Sequence, residues 1–68
     1  MNGLLPERLK EKRAKSKLTQ KDVADRLGIT QSTYAYYESG RNEPDLETLT
    51  KIADIFETSL DYLAGRYK

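Results

Sequence analysis

The sequence predicts an all-α fold, a compact bundle of five short helices, and three observations carry that prediction. Turn signals at Ser16-Lys17, Gly28, Ser39-Gly40 and Gly65 divide the 68 residues into segments of helical length. Residues suited to helix N-caps, Thr19, Thr30, Asp45 and Ser59, stand where four of those segments begin. Within the segments apolar residues recur at helical spacing, and nothing reads as a strand.

The first helix opens at Pro6, whose missing N–H suits a first helical position, and carries Leu5, Leu9 and Arg13 as far as the Ser16-Lys17 break. Thr19 caps a second, two-turn helix from Gln20 to Leu27, and Gly28 sits where a left-handed C-terminal cap belongs. Thr30 caps a third helix from Gln31 to about Glu38, stopped by Ser39-Gly40; Asn42, Glu43 and Pro44 form a loop. Asp45 caps the fourth helix, in which Leu46, Leu49, Ile52, Ala53 and Phe56 form an apolar stripe. Ser59 caps a last short helix, Leu60 to Ala64, stopped by Gly65.

Composition limits what such a chain does. The 68 residues read as one domain, with 66–68 as a short tail, and 37% hydrophobic residues with a mean hydropathy of -0.81 imply a thin core. A core this small rarely supplies more than roughly 3 to 5 kcal/mol unaided. With neither cysteine nor histidine, disulfides and an ordinary zinc site are not available to reinforce it. The expectation is no metal and no cofactor. No apolar run approaches a signal-peptide core or membrane span, so the chain reads as cytoplasmic, without a membrane partner. Net charge is only +1, but it is unevenly distributed: residues 1–21 hold seven basic residues against two acidic, net +5, and the remainder holds five against nine, net -4. That basic end suits phosphate or is simply a solvated face.

Residues 20 to 38 form the chemistry-bearing constellation. Few residues join the second and third helices around Gly28, which fits a steep crossing, a helix-turn-helix. Ala24 is the small residue where the backbones meet, and Val23, Leu27, Ile29, Tyr34 and Tyr37 are the apolar contacts that lock the angle. On a wheel advancing about 100° per residue, Tyr34 and Tyr37 point to the core. Gln31, Ser32, Ala35, Tyr36 and Ser39 share the opposite arc. Replacing Tyr37 with alanine is accordingly expected to cost roughly 3 to 5 kcal/mol, as large core truncations do.

The stretches "LTQKDVADRLGITQSTYAYYESGRNEPDLETLTKIADIF" and "SLDYL" resemble the second helix, recognition helix, loop and closing helices of the Cro/phage-repressor type, or XRE-like, helix-turn-helix proteins. The resemblance covers about residues 5 to 64 and implies the lambda-repressor-like fold, with double-stranded DNA as partner and the third helix in the major groove. It places base reading on Gln31, Ser32 and Tyr36, whose side chains suit adenine, several bases or phosphate, and a thymine methyl or an oxygen, respectively. Gln20, at a helix N-terminus that favours anions, is placed on a phosphate. Thr19, Lys21, Thr30, Ser39, Arg41 and Asn42 hold cap, loop or adjacent positions expected to flank the groove. Arg13 and Glu38 resemble a family pair that orients the recognition helix, a structural role first. Two positions depart from the pattern. Lys17 stands where glycine is common, so either lysine takes a left-handed conformation or the turn differs. Lys12 stands where an apolar residue is common, thinning the core or laying its stem along it.

The functional expectation is a sequence-specific transcriptional regulator of bacterial or phage origin, a repressor that binds a pseudo-palindromic operator as a homodimer. Tyr62, Leu63 and Tyr67 are the candidate dimer contacts, although Leu63 reads equally well as core. The alternative is a protein-binding module, an antitoxin or adaptor, that meets a protein partner or anti-repressor through Tyr36 or the last helix. An enzyme is disfavoured: there is no glycine-rich phosphate loop, and the carboxylates sit at caps and on helix exteriors.

Overall fold

Each of the last four helices begins on a side chain that replaces a missing backbone partner. In the computed structural model, which describes residues 4–65, the elements are α1 (Leu4–Ser16), α2 (Gln20–Leu27), α3 (Gln31–Ser39), α4 (Leu46–Ile55) and α5 (Leu60–Leu63). Thr19, Thr30, Asp45 and Ser59 each accept a hydrogen bond from the backbone N–H three residues on, satisfying one orphan donor of the first turn. Asp22 returns the favour by accepting from the Thr19 N–H at 2.9 Å, which completes a capping box.

The helix ends differ slightly from expectation. Helix α1 begins at Leu4, ahead of Pro6. Proline remains harmless there because the first four N–H groups of a helix have no intrahelical acceptor. Lys17 takes the left-handed conformation, φ 58°, so the turn keeps its shape without glycine. Its N–H donates to Ala14 O and the Leu18 N–H to Arg13 O. Glu57 repeats the device after α4, at φ 53°. Phe56 and Ala64, expected inside α4 and α5, are instead their C-caps.

The core is drawn from all five helices: Leu5 and Leu9; Val23 and Ala24; Tyr34; Leu49, Ile52 and Ala53 with Phe56; and Leu63. Helix α2 packs on α3 and α4, and α1 packs on α3 and α5. Ala24 is fully buried, as the close crossing of α2 and α3 demands. Along the seam between α1 and α5 the Arg8 guanidinium lies 4.3 Å from the Tyr62 ring centroid and donates to the Tyr62 carbonyl at 2.5 Å. Lys12 covers the same ring at 4.9 Å, and the Tyr62 hydroxyl donates to the Glu11 carboxylate. A lysine at an often apolar position is thereby used as a cation over an aromatic face.

Of the two readings open for Leu63, burial selects the core. Leu63 is 0% exposed and closes the chain's own core. Tyr62 is half-buried against α1, and Tyr67 lies outside the described residues.

Candidate nucleic-acid interface

Helix α3 is held by one face and leaves the other open. Tyr34 is 0% exposed and meets Tyr37 edge to face, ring centroids 6.2 Å apart, at the preferred geometry for aromatic pairs. Tyr37 packs on the core as well but is only half-buried, so Tyr34 is the inner of the two rings and the full cost of a core truncation belongs to it. Gln31, Ser32, Tyr36 and Ser39 are exposed along the opposite arc, with Ala35 half-exposed between them. The three candidate base readers therefore share one open face.

The angle of that face is set from beneath. Glu38, 3% exposed, accepts from Arg13 Nε at 2.6 Å and Nη2 at 3.1 Å, a two-point contact that fixes orientation as well as distance. Gln20 adds a third bond, Nε2 to Glu38 Oε1 at 3.1 Å, while Arg13 Nη1 donates to the Leu18 carbonyl. Thus α1 and α2 converge on one carboxylate of α3, and the same arginine ties in the α1–α2 turn. Burial alone raises the Glu38 pKa, but the hydrogen bonds from Arg13 and Gln20 and the guanidinium charge prevail and hold it below the ordinary value. The Tyr34 hydroxyl lies near enough to feel that charge, yet completes no hydrogen bond; burial, then the Glu38 charge, drive its pKa far up. The Gln20 contact is not legible in the sequence, because the two residues are 18 positions apart and only the crossing of α2 and α3 brings them together.

The flanks of the open face are preorganised loops and caps. Gly28, φ 73°, ends α2 and sends the chain through Ile29 to Thr30, with the Ile29 N–H donating to Ala24 O at 3.0 Å. At the far end Gly40, φ 79°, backs onto Pro6 of α1, 3.4 Å from where a Cβ would stand. The Tyr36 carbonyl then gathers the loop: it accepts from Arg41 N at 2.9 Å, Asn42 N at 3.2 Å and Ser39 Oγ at 3.2 Å. The Arg41 guanidinium lies 4.9 Å from the Tyr36 ring centroid.

The candidate phosphate ligands differ in what they still have to offer. Thr19 accepts from Asp22 N, which leaves its hydroxyl proton for an outside acceptor. Thr30 accepts from Thr33 N and shares a bond with the Thr33 hydroxyl, while the Ser39 hydroxyl proton is directed at the Tyr36 carbonyl. Lys21 pairs with Asp25 at 3.1 Å, an exposed contact worth roughly 0 to 1 kcal/mol that yields readily to a phosphate. Arg41 and Asn42 are exposed. Among the described residues no group of acidic side chains is placed to hold a metal ion, and no helix is long and apolar enough to cross a membrane.

Two helices crossing at a small residue, the second fixed by a buried ion pair and open on its far side, define a helix-turn-helix domain. Residues 9–63 match the model of a helix-turn-helix family, and the chain belongs to that family. It is 50% identical over 62 residues to the HTH-type transcriptional regulator AnsR of Bacillus subtilis (strain 168), covering 91% of this chain and 53% of that protein. To the cryptic phage CTXphi transcriptional repressor RstR of Vibrio cholerae serotype O1 it is 44% identical over 63 residues, covering 93% and 56%. The chain spans about half the length of the curated relatives it matches. Its fold is similar to that of the P22 c2 repressor protein in complex with a synthetic operator, with a TM-score of 0.84, 27% identity and coverage of 91% of this chain and 94% of that one. A transcriptional regulator from Listeria innocua gives a TM-score of 0.85 and 33% identity, over 94% of this chain and 60% of that one.

Proposed function

We propose that this chain is the DNA-binding part of a transcriptional repressor, which lays α3 in the major groove of a specific double-stranded site. The observation that carries the reading is the open face of α3. Gln31, Ser32 and Tyr36 stand exposed on a helix whose angle is fixed from below by Arg13, Gln20 and Glu38. Gln31 and Ser32, in the first turn, and Tyr36, one turn on, meet base edges. The start of α2, with Thr19, Gln20 and Lys21, and the α3 flanks, with Thr30, Ser39, Arg41 and Asn42, meet phosphates that set register. Similarity to RstR, named a transcriptional repressor, and to the P22 c2 repressor bound to an operator supports the same reading. The few base contacts available to one copy argue for two-fold pairing on a pseudo-palindrome, with recognition helices about 34 Å apart.

Selection on random duplex DNA tests this directly. A defined site with two half-sites about one helical turn apart is expected, with binding that weakens steeply as salt rises. Gln31→Ala should relax choice at one or two base pairs, while Gln20→Ala should weaken all sequences alike. Enrichment of no site at low salt would sink the proposal, and salt-insensitive capture of a protein would favour the adaptor alternative.

A further inference from the structure

Tyr36 and Arg41 belong to different parts of the expected interface, one to the bases and the other to the phosphates, yet the fold joins them. Two independent contacts do so. The Tyr36 carbonyl accepts the Arg41 N–H at 2.9 Å, and the Tyr36 ring carries the Arg41 guanidinium at 4.9 Å. Ser39 and Asn42 bond the same carbonyl, so the loop that presents Arg41 is tied to α3 before any partner arrives. Both side chains are exposed, Tyr36 at 38%.

We propose that Tyr36 is a positioning residue for Arg41: its ring holds the guanidinium so that the N–H edge is preset toward a DNA backbone phosphate beside the major groove. A flat guanidinium on an aromatic face keeps its edge donors free, and those donors match phosphate oxygens in pairs. A free arginine loses several rotatable bonds of freedom when it binds; one already laid on a ring loses fewer. Part of what Tyr36 contributes to affinity is therefore independent of the base beneath it and passes through Arg41. Its hydroxyl is not needed for that part.

The inference rests on the DNA-binding reading, and the experiment separates the two. In the free protein, NMR should show the Arg41 δ protons shifted upfield by the Tyr36 ring in the wild type and in Tyr36→Phe, and unshifted in Tyr36→Leu. Binding to the duplex recovered by selection is then measured for Tyr36→Leu, Tyr36→Phe, Arg41→Ala and both double variants. Arg41→Ala should cost the wild type and Tyr36→Phe equally, and should cost Tyr36→Leu about 2- to 5-fold less, the size of an exposed cation–π contact. It should also lower the salt slope by about one phosphate contact. Unshifted Arg41 protons in the wild type, or strictly additive losses on a duplex the wild type binds, overturn this proposal alone. Absence of wild-type binding to any duplex overturns the DNA-binding reading, and this proposal with it.

Discussion

At the scale of single residues, Glu38 decides whether α3 can be presented at all. Its pKa is depressed, so its bonds to Arg13 and Gln20 contribute stability that is complete above its ordinary value of 4.5 and is lost as pH falls through the lower folded value. The caps Asp22 and Asp45, also depressed by their hydrogen bonds, titrate in the same acid range. Glu38→Gln should therefore flatten, without abolishing, the loss of stability on acidification from about pH 5 to about pH 3. At neutral pH it should cost about 3 kcal/mol, the low end for a broken buried pair, because Arg13 retains some access to water. Urea melts across pH check both statements, and an unchanged acid slope would contradict them. The two core-side tyrosines separate in the same assay. Tyr34→Ala should cost roughly 3 to 5 kcal/mol and the half-buried Tyr37 clearly less.

At the scale of elements, the starts of α2 to α5 are legible in the sequence, and the ends of α1 and α4 less so. A start is written in one side chain, and Thr19, Thr30, Asp45 and Ser59 all cap as their chemistry suggests. The ends at Lys17 and Glu57 rest on a backbone conformation that neither side chain advertises. Ser16-Lys17 reads as a break without revealing the left-handed residue that makes it, and nothing in the sequence marks Glu57. The outward face of α3 was legible from the helical wheel, whereas the Gln20 bond to Glu38 and the Arg41 contact with Tyr36 required the crossing and the loop to be formed. The left-handed residues give a prediction of their own. Lys17→Gly and Glu57→Gly should each stabilise the fold by about 0.5 to 1 kcal/mol, because relief of Cβ strain exceeds the added freedom of the unfolded chain. Each change should appear as a rise in Tm of a few degrees, about 4 to 8 °C per kcal/mol for a domain of this size. A fall in Tm would mean the strain is already relieved elsewhere.

At the scale of the whole molecule, the cationic seam between α1 and α5 and the enclosure of Leu63 make the last helix part of the chain's own closure. Leu63→Ala should cost about 2 to 5 kcal/mol at every protein concentration. A loss that shrinks on dilution would return Leu63 to a subunit contact, since association stabilises by mass action and is lost as the protein is diluted. Its position in the sequence left the alternatives equal, because an apolar residue near a chain end looks the same whether its neighbour is intramolecular or a second copy. One feature reaches beyond stability. The loop after α3 hangs on the main-chain oxygen of residue 36, an atom that every amino acid supplies. Exchange of the side chain at that position leaves the anchor in place, so the outward face of α3 can be rewritten there while the backbone from Gly40 to Asn42 keeps its course.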